Sequence, residues 1–122
     1  MPLVQKSLAR LALACGMLPI ASVSADHDPS RWEKYIARFE AADKKQMPQP
    51  DGVLFIGSSS IRMWKTLEQD FPGLPVINRG FGGSQIADSN HFAGRIVHPY
   101  KPRQIVLYAG DNDVAGGKSP ER

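Results

Sequence analysis

The chain has 122 residues, 42% hydrophobic and 22% charged, with a formal net charge of +3; this balance lies in the globular range and excludes a wholly disordered or collagen-like polypeptide. No cluster of Lys and Arg interleaved with aromatics stands out, which argues against a nucleic-acid partner. The single cysteine, Cys15, leaves no basis for a disulfide within the chain.

Residues 1–25 read as a signal peptide. Lys6 and Arg10 precede an apolar run from Leu11 to Val23, broken by Gly16 and Pro19, and Val23-Ser24-Ala25 supplies small residues before Asp26. The run is too short to be a stable membrane span; a buried N-terminal helix is the alternative. An exported chain, periplasmic or secreted, is expected. Removing the segment takes away Lys6, Arg10 and Cys15, so 13 basic residues face 12 acidic ones and the net charge falls to +1. The basic pI of the whole chain then says little about partners.

Residues 26–50 are expected to form an N-terminal helix and a linker. Ser30-Arg31-Trp32-Glu33 has the capping-box form, and Trp32, Ile36 and Phe39 follow at helical spacing, an apolar stripe that needs a sheet to cover. Met47-Pro48-Gln49-Pro50-Asp51-Gly52 ends that helix. Val53-Leu54-Phe55-Ile56 is a continuous apolar run, too short for a helix and suited to a buried parallel strand. The order then repeats. A helix carrying Ile61, Trp64 and Leu67 closes at Phe71-Pro72-Gly73, and a short strand follows at Pro75-Val76-Ile77. A third helix on Ile86, Phe92, Ala93, Ile96 and Val97 ends at Pro99 and Pro102, and Gln104-Ile105-Val106-Leu107-Tyr108 makes another buried strand. Strands alternating with helices predict an α/β domain, a parallel sheet with helices on both faces. Ser119-Pro120-Glu121 has the form of a further helix start. Three strands bury a marginal core for a layered sheet, so residues 51–122 are expected to be a partial domain, truncated after the third strand.

Each strand runs into a polar, glycine-bearing loop: Gly57-Ser58-Ser59-Ser60, then Asn78-Arg79-Gly80-Phe81-Gly82-Gly83-Ser84, then Gly110-Asp111-Asn112-Asp113. Ligands of open parallel sheets bind beyond the carboxyl ends of the strands, so the three loops are expected to share one crevice. A serine there sits over a helix start, where free N–H groups favour negative charge. Acyl transfer needs that arrangement, because attack by a serine hydroxyl on an ester turns the carbonyl oxygen into an oxyanion that aimed donors stabilise.

These blocks resemble the SGNH hydrolases, the GDSL-like lipases and acylhydrolases named for Ser, Gly, Asn and His. Gly57-Ser58-Ser59 is similar to the family's Gly-Asp-Ser block, which makes Ser59 the nucleophile by position; Gly83 matches the oxyanion glycine, and Asn112, in Gly110-Asp111-Asn112-Asp113, matches the oxyanion asparagine. The resemblance covers Val53 to Asp113. It implies a three-layer flavodoxin-like fold and hydrolysis of small-molecule esters through an acyl-enzyme, with Ser59 N–H, Gly83 N–H and the Asn112 amide holding the oxyanion and no cofactor. Two departures stand out. Ser58 replaces the family's aspartate, and the family's base block, Asp-x-x-His near its C-terminus, has no counterpart here. The chain by itself is therefore expected to be almost inactive.

Asp88-Ser89-Asn90-His91 spells Asp-x-x-His, but on a helix leading away from the strand ends, so it is read as a decoy. His27 and His98 are read as solvated or structural. Arg79 and Phe81 flank the oxyanion loop and are candidates for substrate contact. Asp111 and Asp113, two carboxylates without histidine, make no metal site for a transition ion. Taken singly, Ser58-Ser59-Ser60 could be a helix cap, the glycines could serve a tight turn, and Asn112 could be an ordinary turn residue. A non-catalytic binding module that keeps the crevice is the alternative to the hydrolase.

Overall fold

The computed structural model describes residues 27–121; the expected signal peptide, with Cys15, lies outside them. The chain enters through a 3-10 helix, Pro29–Trp32, capped by Asp28. Asp28 accepts both the Ser30 N–H and the Ser30 hydroxyl, each at 2.9 Å. The capping box expected at Ser30 is thus not formed: its hydroxyl is already given to Asp28, and Glu33 pairs with Arg95 instead. Helix α1 (Glu33–Lys45) follows directly.

Three parallel strands, β1 (Val53–Gly57), β2 (Val76–Gly80) and β3 (Gln104–Tyr108), form one sheet in the order β2-β1-β3. Their register is level: Gly57 at the end of β1 lies opposite Gly80 on one side and Tyr108 on the other. Successive side chains of a strand face opposite ways, and both faces of β1 are buried. Ile56 meets Trp32, Ile36, Phe81, Phe92 and Ile96, a layer made by the 3-10 helix, α1, the turn after β2 and α4 (Ile86–Ile96). Val53 and Phe55 meet Ile61 and Leu67 on the other side. Helices therefore cover both faces, which is the expected flavodoxin-like layering.

Three expectations are corrected. The helix expected over Ile61, Trp64 and Leu67 is two short ones, α2 (Ser59–Met63) and α3 (Leu67–Asp70). The break is held by Asp70, whose carboxylate accepts the Trp64 indole N–H and the Thr66 hydroxyl, while the Trp64 ring packs on Phe55 and Phe71. Strand β2 runs on through Asn78, Arg79 and Gly80, which the sequence assigned to a loop; pairing with β1 extends it past the apolar pair. Strand β3 was expected to be buried, yet Ile105 is 51% and Leu107 55% exposed. It is an edge strand with no partner beyond it among the described residues, and α4 covers it only across a groove of about 590 Å³ lined by Ile56, Ile86, Ala93 and Val97. No helix among the described residues is long and apolar enough to cross a membrane.

Candidate functional site

The level strand ends put three turns side by side. At the first, Gly57 adopts φ +151°, a conformation side chains disfavour, and a Cβ there would overlap the Tyr108 carbonyl. Glycine lets β1 and β3 close up just below the turn. The Ser58 N–H donates to that Tyr108 carbonyl at 3.3 Å. The Ser58 hydroxyl, fully buried, donates to Asp111 at 3.2 Å. Ser59 is the first residue of α2 and is partly exposed. Its N–H belongs to the first turn, whose donors have no partner inside the helix.

The second turn closes onto the first. The Gly57 carbonyl accepts the Phe81 N–H at 3.0 Å and the hydroxyl of buried Ser84 at 3.4 Å. Gly83, exposed and at φ +77°, lies where an added Cβ would come within 3.2 Å of the Trp32 ring. The third turn, Gly110 and helix α5 (Asp111–Ala115), is bound to the second. Asn112 Nδ2 donates to the Ser84 carbonyl at 2.9 Å, the Asn112 carbonyl accepts from Gln85 at 3.3 Å, and Asp113 accepts the Ile86 N–H at 3.0 Å. The segments carrying Ser59, Gly83 and Asn112 are therefore tied into one cluster by Ser58, Ser84 and Gln85. A carboxamide nitrogen has two hydrogens, so Asn112 keeps a second donor beyond the one held by Ser84.

The two expected substrate contacts lie elsewhere. Arg79 sits in β2 and bonds Asp43 and the Tyr100 hydroxyl, each at 2.6 Å, with its guanidinium stacked on Phe39 and Tyr100. Phe81 is fully buried against Trp32 and Phe92. Both side chains are structural because β2 extends further than the sequence suggests, turning residue 79 onto α1 and residue 81 into the core. Burial first, and then the hydrogen bond to Asp43, push the Tyr100 phenol up to about 12.

Of the histidines, read from sequence as a decoy or as solvated or structural, one is bonded within the fold and two are exposed. Asp88, fully buried, accepts the Gln85 N–H at 2.8 Å and pairs with His27 at 2.7 Å, so its partner is not His91. His91 is exposed, edge-on to Phe92, and His98 is exposed at the start of the 3-10 helix His98–Tyr100. Ser59 makes no hydrogen bond to any of them among the described residues. Asp111 and Asp113 have separate duties, on Ser58 and on the start of α4, and no group of three or more metal-ligating side chains occurs among the described residues.

Two features near the turns escaped the sequence reading. Gln85 and Asp88 form a reciprocal cap at the start of α4, legible only as a loose variant of the capping-box spacing. Arg62 lies across Gly82: an added Cβ there would come within 2.6 Å of its Nε. Only the Gly-rich spelling of the second loop hinted that something passes so close.

The fold has a solved counterpart. A protein from Streptococcus pneumonia, provisionally described as a platelet activating factor, superposes with a TM-score of 0.61 at 22% identity, over 72% of this chain and 41% of that one. The chain thus spans less than half the length of that protein, and the likeness is one of fold. No protein-family model matches the chain, and no curated protein matches it.

Proposed function

We propose that this chain carries the nucleophile and oxyanion donors of an exported serine ester hydrolase of the SGNH type. The observation that supports it is the cluster of three strand-end turns, with Ser59 at the start of α2 and the turns of Gly83 and Asn112 bonded to its neighbours. Ser59 Oγ attacks the ester carbonyl carbon and its proton passes to a histidine base. The C–O bond to the alcohol then breaks, the alcohol leaves with that proton, and water releases the acid from the acyl-enzyme. Ser59 N–H, Gly83 N–H and the second Asn112 amide hydrogen stabilise the oxyanion. The substrate is a small ester and no cofactor takes part. His27 is turned to Asp88 and His91 and His98 sit on or beyond α4, so none of the three is placed as that base.

Chemical rescue tests this reading. With p-nitrophenyl acetate, the chain alone is expected to show almost no turnover beyond that of Ser59→Ala, since a positioned base is worth roughly 10²–10⁴-fold. Added imidazole can take the missing role, and the wild-type rate should then exceed the Ser59→Ala rate by an amount that grows with imidazole concentration. Equal rates for the two proteins at every imidazole concentration would remove the hydrolase and leave a binding crevice.

A further inference from the structure

Resting on the ester-hydrolase reading, we propose that Arg62 forms an anion subsite beside Ser59, so that the ester taken by this crevice carries a carboxylate or phosphate group. Ser59 and Arg62 are three residues apart on α2, a spacing that puts two side chains on one helical face with Cβ atoms roughly 5–6 Å apart. The guanidinium lies against the candidate oxyanion loop. At Gly82 an added Cβ would lie 2.6 Å from Arg62 Nε and 3.1 Å from Cζ and Nη2, so the charged group rests on the loop one residue before Gly83.

Among the described residues no carboxylate pairs with the guanidinium in this position. The ion pairs among the described residues join Asp88, Asp43, Glu33, Glu40 and Asp113 to other cations, and none involves Arg62. Lys65, one turn on, brings a second positive charge to the same side, its Nζ donating to the Arg62 carbonyl at 3.2 Å. Both residues line a cleft of about 460 Å³ along β2 with Asn78 and Gly80, in which Glu68 is the acidic wall residue. The cleft therefore carries two cations against one carboxylate. An arginine fork suits planar or tetrahedral oxyanions, which it grips with two parallel N–H donors. A substrate whose charged group lies a few bonds from its ester carbonyl would span from Ser59 to Arg62, and binding that group would orient the carbonyl for attack.

The test separates binding from turnover by using the Ser59→Ala chain. Its amides and the Arg62 Nε–H are followed by NMR during titration with monomethyl succinate, with 2-acetoxyethyl phosphate, and with the neutral dimethyl succinate, at low salt. At least one charged ester is expected to bind tenfold or more tightly than the neutral one, with the Arg62 Nε–H among the shifted signals, and the two charged probes show which oxyanion is preferred. Adding Arg62→Gln should bring charged and neutral esters to equal affinity, whereas Arg62→Lys should retain part of the preference. Equal binding of charged and neutral esters, a preference that survives Arg62→Gln, or no binding of any probe would overturn the subsite. Selective binding that Arg62→Gln removes, found together with equal imidazole-dependent rates for wild type and Ser59→Ala, would keep the subsite and discard only the hydrolase.

Discussion

Replacing Gly57 by alanine should damage the fold and the candidate site at once, and two neighbouring facts set the size of the effect. The first is conformational: φ is +151°, and holding a side chain in such a region costs about 1–2 kcal/mol. The second is steric. The new methyl would overlap the Tyr108 carbonyl oxygen and lie 2.9 Å from its carbon and 3.1 Å from Ile61 Cγ1, a clash with backbone on one side and core on the other. Overpacking of this kind costs about 1–3 kcal/mol, and separating the strands also strains the Ser58 N–H bond to Tyr108, worth about 1 kcal/mol. The expected loss is about 3–5 kcal/mol, much of the stability of a small domain. Gly73→Ala supplies the control, because Gly73 has φ +79° but nothing within 4 Å of an added Cβ, so only the conformational cost of about 1 kcal/mol remains. Urea unfolding followed by tryptophan fluorescence would measure both variants. If Gly57→Ala loses no more than Gly73→Ala, the close approach of β1 and β3 at this turn is wrong, and with it the placement of Ser58 and Ser59.

Two further outcomes follow from buried polar groups. The Tyr100 phenol titrates near 10.0 when unfolded and near 12 when folded, chiefly because it is buried. Between those values the unfolded chain has lost the proton and the folded one retains it, so stability is full below pH 10 and falls as pH rises, by roughly 2–3 kcal/mol in all; urea midpoints from pH 8 to 11.5 should show this limb in wild type and lose it in Tyr100→Phe. At Ser58, restoring the aspartate of the resembled family should destabilise rather than improve the chain, because the buried hydroxyl faces Asp111 at 3.2 Å and a carboxylate there would meet a like charge, at a cost of several kcal/mol. Thermal unfolding of Ser58→Asp should show a large loss at neutral pH that shrinks in acid and is partly recovered by Asp111→Asn; a variant as stable as wild type would remove the Ser58–Asp111 contact.

The parts of this fold legible in the sequence are those fixed by local pattern. Val53 to Ile56 reads as a strand because a short run that is apolar throughout suits a strand buried on both faces, and the three glycine-bearing turns are spelled out directly after the strands. What escaped depends on distant partners. Trp64 reads as helical by spacing, yet its indole N–H and the Thr66 hydroxyl are drawn to Asp70 and the helix breaks. Arg79 reads as a loop cation, but pairing with β1 extends β2, and Asp43 and Tyr100 then claim the guanidinium. The exposure of β3 was illegible for a related reason: an apolar run reports what a strand could bury, whereas its burial depends on what lies beside it, and among the described residues β3 has β1 on one side only. At the candidate site the residue types were legible and their supports were not. Nothing in the spelling Ser84-Gln85 shows that Ser84 reaches back to Gly57 and Gln85 forward to Asn112.

Those supports bear on how the proposed chemistry would work. Oxyanion donors accelerate acyl transfer to the extent that they are aimed before the charge develops, since reorienting them during the reaction would consume the stabilisation they offer. One Asn112 hydrogen is held by the Ser84 carbonyl at 2.9 Å, which fixes the plane of the carboxamide and thereby the direction of its second hydrogen. Ser84 is in turn held by Gly57, the residue two before Ser59. The direction of one proposed donor is thus set from the backbone of the strand that ends at the proposed nucleophile, through two hydrogen bonds and no long flexible side chain. Shortness matters here: each added rotatable link would widen the spread of donor directions, and a carboxamide anchored through the rigid end of β1 has little spread to begin with.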